Sequence, residues 1–163
     1  MVKVAVTGHR SADLFGYGAH EGWDWLRDTL RHLLEDLGAT EAFSGMALGA
    51  DQVFARAALD AGVPVVAYVP FLGQERLWPF SSQAAYGFLL DRCRERVVVS
   101  SSPSRTAFLE RNTAMVDAAD VVVAVWTGKG SGGTHHAVQE ALRLGKAMVW
   151  VDPVRRQVWL VGS

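Results

Sequence analysis

Residues 120–146 constrain the fold more than any other stretch: Asp-Val-Val-Val-Ala-Val-Trp-Thr-Gly-Lys-Gly-Ser-Gly-Gly-Thr-His-His-Ala-Val-Gln-Glu-Ala-Leu-Arg-Leu-Gly-Lys. Val121 to Trp126 is an unbroken apolar run rich in β-branched residues, the pattern of a strand buried on both faces. Thr127 to Thr134 is a glycine-rich loop. Val138, Ala141 and Leu142 then recur at helical spacing, and Gly145 stands where a helix ends. Strand, glycine loop and helix N-terminus together form an anion site, because loop amides and the helix dipole point at one place. A plain strand-to-helix turn has the same local pattern, so the loop alone leaves both readings open.

The rest of the chain repeats this alternation. Val2 to Val6 is a strand running into Thr7-Gly8-His9-Arg10. Arg10 could meet a phosphate with its fork of donors, and His9 could donate to one or carry a proton. Ser11 to Gly22 is a polar loop, long enough to rim a site. Trp25, Leu26, Thr29, Leu30, Leu33, Leu34 and Leu37 mark an amphipathic helix stopped by Gly38. Glu41 to Phe43 is a second strand, followed by Ser44-Gly45-Met46-Ala47-Leu48-Gly49-Ala50-Asp51 and a helix to Asp60. Here Gly45 and Gly49 could shape a loop around a sugar or phosphate while Asp51 orders the site. The simpler alternative is a turn closed by Ser44 and a helix capped by Asp51.

Val63 to Val69 is the third strand. The aromatic loop 71–80 holds Gln74 and Trp78; Trp78 could stack a base or plug the core. Ser81 to Arg94 reads as a helix, Val97 to Val99 as a strand. Ala107, Phe108, Met115, Val116 and Ala119 form one side of a further helix that also contains Arg111 and Asn112. Ala147 to Val151 is another strand, and Gln157 to Val161 a small edge strand. Alternating strands and helices predict an α/β fold with a doubly wound, mostly parallel sheet and right-handed crossovers.

Its 163 residues fit one domain, 1–163, with a sizeable core. Net charge is −1, and no Lys/Arg-rich run is present; a partner recruited by charge alone is not expected. The single cysteine, Cys93, excludes an internal disulfide and argues against a cysteine-based zinc site. His135 and His136 are adjacent, and helical neighbours point about 100° apart, so one metal cannot readily take both. No metal and no required cofactor are expected. No apolar run is long enough to span a bilayer, and the opening strand lacks a signal-peptide layout; the cytoplasm is the expected location. Neither G-x-x-x-x-G-K-[ST] nor G-x-G-x-x-G after the first strand occurs, which sets aside P-loop NTPases and the ordinary NAD fingerprint.

Five pieces occur in one order: Thr7-Gly8-His9-Arg10; Ser44 to Asp51; Gln74-Glu75 with Trp78; Arg111-Asn112-x-x-Met115-Val116-Asp117; and Gly132-Gly133-Thr134. Together they resemble the YpsA-like branch of the SLOG superfamily, which also holds the LOG and DprA proteins. The resemblance spans nearly the whole chain. It implies a single Rossmann-like domain with helices on both faces of the sheet. It also implies a nucleotide or nucleotide-derived ligand, of nucleoside monophosphate, NAD or ADP-ribose type, held as by a sensor or carrier. The ligand residues it implies are Thr7, Gly8, His9, Arg10, Ser44, Gly45, Gly49, Asp51, Gln74, Trp78, Arg111, Asn112, Gly132, Gly133 and Thr134.

The LOG relatives are phosphoribohydrolases that cleave the N-glycosidic bond of nucleoside 5′-monophosphates. Their motif is P-G-G-x-G-T-x-x-E, with an Arg from the preceding helix, and the transition state is oxocarbenium-like. Arg111 matches that Arg. No Pro precedes Gly132, and Ala137 stands at the Glu position, so Glu140, close to one turn on, is the carboxylate left to pair with Arg111. This makes an N-glycosidase the runner-up. DprA-like binding of single-stranded DNA ranks third, because a strongly basic groove is expected for it. The expected partners are therefore a small nucleotide and, as in the LOG relatives, a second copy of the chain, with neither membrane nor nucleic acid.

Overall fold

The computed structural model describes residues 1–161. Seven strands form one sheet: β1 (Val2–Gly8), β2 (Ala39–Ser44), β3 (Val65–Val69), β4 (Glu95–Val98), β5 (Val121–Val125), β6 (Ala147–Asp152) and β7 (Gln157–Val161). Their order across the sheet is β4-β3-β2-β1-β5-β6-β7. All neighbours pair in parallel except β6 and β7, an antiparallel hairpin. The α/β, Rossmann-like reading of the sequence is what the chain adopts.

Five helices connect the strands: α1 (Glu21–Asp36), α2 (Ala50–Asp60), α3 (Phe80–Arg92), α4 (Arg105–Ala118) and α5 (Gly133–Arg143). α1 and α2 pack together on one face, and α4 and α5 on the other. The apolar run of β5 explains why it needs both. Val123 and Val125 join Val4, Val6, Leu26, Leu30 and Phe54 in the first core. Val122 and Ala124, pointing the opposite way, join Val116, Ala137, Val138 and Ala141 in the second. A third cluster sets Met115 of α4 and Ala119 just after it on Ala5, Phe43 and Val66.

The helix boundaries follow local chemistry. The His20 side chain caps α1 by accepting from the Gly22 amide at 2.9 Å, and Leu26, Leu30 and Leu34 bury one stripe of it. Gly38, at φ +64°, takes the left-handed turn after it. β3 starts at Val65 rather than Val63, since Pro64 has no amide to donate to a ladder. β1 runs two residues further than the apolar pattern, because Thr7 and Gly8 keep pairing with Ala124 and Val125. Cys93 closes α3, and burial pushes its thiol up to about 11, so it is not a nucleophile at neutral pH. No helix among the described residues is long and apolar enough to cross a membrane.

The chain winds outward from β1 to β4, returns through α4, and winds outward again from β5. The order therefore reverses between β1 and β5. Loops leaving the carboxyl ends of those two strands diverge, and a crevice opens between them.

Candidate functional site

The crevice is a cavity of about 310 Å³. Its floor is the end of β1, Thr7 to Arg10. One wall is α4, through Phe108, Arg111 and Asn112. The other is the loop before α5, through Lys129, Ser131 and Gly132, with Gly133 and Thr134 of the helix itself, and Asp51 closes the back.

Close packing explains the first glycines. A Cβ on Gly8 would collide with the Ala50 side chain and crowd Val125. Gly49, at φ +100°, lies against the His9 carbonyl, and a Cβ there would meet backbone at 2.6 Å. These positions let β1 and the start of α2 touch, and the Ala50 amide donates to the His9 carbonyl at 3.2 Å.

The loop from Ser44 to Asp51 is braced from within. Ser44 Oγ donates to the Asp51 carbonyl at 2.7 Å and accepts from the Met46 amide at 3.1 Å. Gln52 donates to the Met46 carbonyl at 3.2 Å, which holds Met46 at φ +62°. Gln74 donates to the Gly45 carbonyl at 3.1 Å and to the Tyr86 hydroxyl at 3.2 Å. Trp78 stands edge-on to Tyr86, with centroids 5.3 Å apart. Ser44, Gly45, Gly49, Gln74 and Trp78 thus support the crevice from behind and do not line it. The expectation that Trp78 stacks a base gives way to its plugging role.

What this brace holds is Arg111, which is 4% exposed. Its Nη1 donates to the Gly45 carbonyl at 2.8 Å and to that of Tyr68 at 3.4 Å, and its Nε to Asn112 Oδ1 at 3.0 Å. Any Cβ on Gly45 would run into the guanidinium. Asp51, also buried, accepts from the Ala47 amide at 3.3 Å. Burial pushes the Asp51 carboxyl up, against the pull of Arg111 and Arg10. Burial likewise lowers Arg111, against the pull of Asp51. The two charges oppose each other beside Gly45 without closing an ion pair.

His9 ties the two halves of the crevice together. Its Nε2 accepts from the Thr127 amide at 3.1 Å and lies 3.0 Å from Thr127 Oγ1. Burial lowers its pKa below the ordinary 6.5, which favours the neutral ring that this acceptor role requires. Nε2 is therefore committed to the loop, and only Nδ1 is left for the donor or proton-carrier role read from the sequence.

The far wall is open. Arg10 and Lys129 are exposed, and among the described residues neither forms an ion pair. Phe108 carries the Arg10 guanidinium 5.7 Å from its centroid and that of Arg111 at 5.8 Å. α5 starts at Gly133 with no side-chain cap, Gly132 before it at φ +94°. The amides of its first turn have no intrahelical partner. Asn112 reaches the Gly133 carbonyl at 3.4 Å. Three cations, Arg10, Arg111 and Lys129, face two carboxylates, Asp13 and Asp51.

Of the residues named from sequence, Thr7, Gly8, His9, Arg10, Asp51, Arg111, Asn112, Gly132, Gly133 and Thr134 come together here. Glu140 does not. It pairs with Arg143 at 2.8 Å, away from the cavity, since it lies two turns down α5 from the Gly133 end. Arg111 and Glu140 therefore do not form the acting pair expected of a hydrolase. Phe108 and Lys129 were not singled out. Lys129 had a signal, being the one charge inside the glycine loop; Phe108 had none beyond its place on an apolar helix face. Among the described residues no group of three metal-ligating side chains is present.

The family described as DNA recombination-mediator protein A matches residues 2–160. No curated protein matches. The fold is similar to DNA processing protein A (DprA) from Streptococcus pneumoniae, at TM-score 0.66 and 19% identity, covering 93% of this chain and 50% of that one. It is similar to DNA processing protein A from Helicobacter pylori, described for its single-stranded DNA binding mode, at TM-score 0.65 and 20% identity, over 93% and 65%. It is also similar to the molybdenum cofactor carrier protein of Chlamydomonas reinhardtii, at TM-score 0.58 and 19% identity, over 91% and 75%. The chain thus spans half the length of the first of these. The matches fit the SLOG superfamily that the motifs resemble. They overturn the expectation against a nucleic-acid partner. That expectation used net charge, which averages over the surface and hides the cations gathered at one crevice.

Proposed function

Because the chain belongs to the DNA recombination-mediator protein A family, we propose that its crevice binds phosphates of single-stranded DNA. One observation carries the reading: the uncapped N-terminus of α5 opens onto the same cavity as Arg10, Arg111 and Lys129. Uncapped amides and a helix dipole favour an anion. Arg10 offers a planar fork, and Lys129 a mobile point charge on a glycine loop. Arg111 is anchored through Nη1 and Nε, which leaves Nη2, without a partner among the described residues, to meet the anion.

The test is fluorescence anisotropy of a labelled oligothymidylate at rising salt. Arg10→Ala and Lys129→Ala should each weaken binding by roughly 1.5–3 kcal/mol. Each should also lower the slope of log K against log salt by about 0.7, the single-strand value per neutralised phosphate. Wild-type affinity retained in the double variant would remove the crevice from DNA binding.

A second reading is favoured by the volume of the crevice. About 310 Å³ is the size of a small-molecule pocket, so a single nucleotide or nucleotide-derived ligand fits where a strand would also place one phosphate. Competition by ADP-ribose or a nucleoside monophosphate against the oligomer separates the two. The hydrolase reading has no such support, because the carboxylate it named stands outside the crevice.

A further inference from the structure

Three tryptophans cross the edge of the sheet in a row. Trp150 of β6 pairs in register with Trp159 of β7. Trp126 follows β5 directly. Ring centroids are 5.7 Å apart from Trp126 to Trp150 and 4.8 Å from Trp150 to Trp159, with planes tilted by 47° and 43°. The row lies on the α5 side of the sheet, since Met148, two residues before Trp150, packs into the core beneath α5. α5 packs mainly against α4 and, on the sheet, against β1 and β5 rather than β6 and β7, and all three rings stay half-buried.

Both inner indole donors are spent on the backbone. Trp150 Nε1 donates to the Trp126 carbonyl at 2.7 Å, and Trp126 Nε1 to the Lys129 carbonyl at 3.0 Å. What the row offers a partner is therefore ring surface. Its head joins the crevice: Lys129 and Ser131 line the cavity. His135, in the first turn of α5, stands 6.1 Å from Trp126, and its Nδ1 has no partner among the described residues.

We propose that Trp126, Trp150 and Trp159 form a base-stacking track for single-stranded nucleic acid. It takes the bases next to the nucleotide whose phosphate sits at the α5 N-terminus. The proposal rests on the crevice reading above. Continuity decides the occupant: aromatic rings beside a cationic phosphate site are the two components that hold single strands without reading sequence. A second copy of the chain is the competing occupant.

The experiment compares an oligothymidylate with an abasic oligomer of equal phosphate count. Trp159→Ala, on the edge strand, should weaken oligothymidylate binding roughly 5- to 150-fold, the range of one lost base stack. Abasic binding should not change, and Trp159→Phe should recover most of the loss. If Trp159→Ala binds both oligomers as wild type does while Arg10→Ala still fails, the track is wrong and the crevice stands. If the wild-type protein binds neither oligomer, crevice and track fall together. If Trp159→Ala instead abolishes self-association in sedimentation and spares oligomer affinity, the row is a dimer face and the proposal is overturned. Equal losses for Ala and Phe on both oligomers would also overturn it, by making Trp159 a support of the fold.

Discussion

The two glycine loops share a sequence signature and differ in what fills the space their glycines leave. In residues 44–51 the protein fills it. Gly45 makes room for the Arg111 guanidinium and Gly49 for the backbone of His9 and Ser11. Seven of those eight residues are buried; only Leu48 is not. In residues 127–134 the space is open. Nothing lies within 4 Å of where a Cβ on Gly130 or Gly132 would stand, and the loop is exposed up to Thr134. The first loop is a brace, and the second is free to receive something. A glycine marks close approach, and only the fold says whether the approaching body is protein or ligand.

The strongest test of this contrast is Arg111→Ala. It takes one of two donors from the buried Gly45 carbonyl, takes another from that of Tyr68, and leaves Asp51 with less countercharge. About 3 kcal/mol of stability should be lost in urea unfolding. A change below about 0.5 kcal/mol, the range of an ordinary surface substitution, would mean the first loop is not a brace. Gly45→Ala should act in the same direction at roughly 1–3 kcal/mol, the cost of overpacking.

Gly133→Ala tests the open loop and should do the reverse. Its Cβ would meet only Asn112 Nδ2, at 3.9 Å, so stability should hold within about 0.5 kcal/mol. Oligothymidylate affinity should fall, because a methyl group then stands where the ligand meets the first turn of α5. A drop in stability with affinity intact would invert the assignment of the two loops.

The fold was legible because its signals are local. Buried parallel strands read as apolar runs such as Val121 to Val125, and α1 shows its stripe of Leu26, Leu30 and Leu34 on the page. Eight of the residues gathered at the crevice were also legible, since glycine loops at strand ends fall at the switch point by topology, while Arg111 and Asn112, on α4, came only from the family resemblance. What could not be read was long-range. Gly45 and Arg111 are 66 residues apart, so nothing near Gly45 says that its missing Cβ accommodates an arginine. Glu140 failed for a related reason. Helical spacing fixed its side of α5 relative to Ala137, but its depth along the axis and the nearby Arg143 decide where the carboxylate goes. Net charge failed because it has no position.

The smallest effect expected is at the joint between the loops. His9 spans 118 residues in sequence to hold Thr127. Burial lowers its pKa from 6.5; Asp13 acts to raise it and Lys129 to lower it further. The unfolded chain therefore binds the proton more readily than the folded one. The contribution of neutral His9 is full above 6.5 and is lost as pH falls through the depressed folded value. Carboxylates held down by arginine, Asp60 and Glu21 among them, act in a lower window, because their ordinary values are 3.8 and 4.5. Protonation would turn Nε2 from acceptor to donor and release the Thr127 amide. Wild-type stability should thus decline just below pH 6.5 more steeply than that of His9→Gln, which cannot titrate at this position; both should fall further at carboxylate pH. Parallel curves for the two proteins would show that His9 does not couple the brace to the open loop. Oligomer binding measured on the same samples sharpens the point. If release of Thr127 loosens the loop, affinity should fall in the same window in wild type and not in the variant.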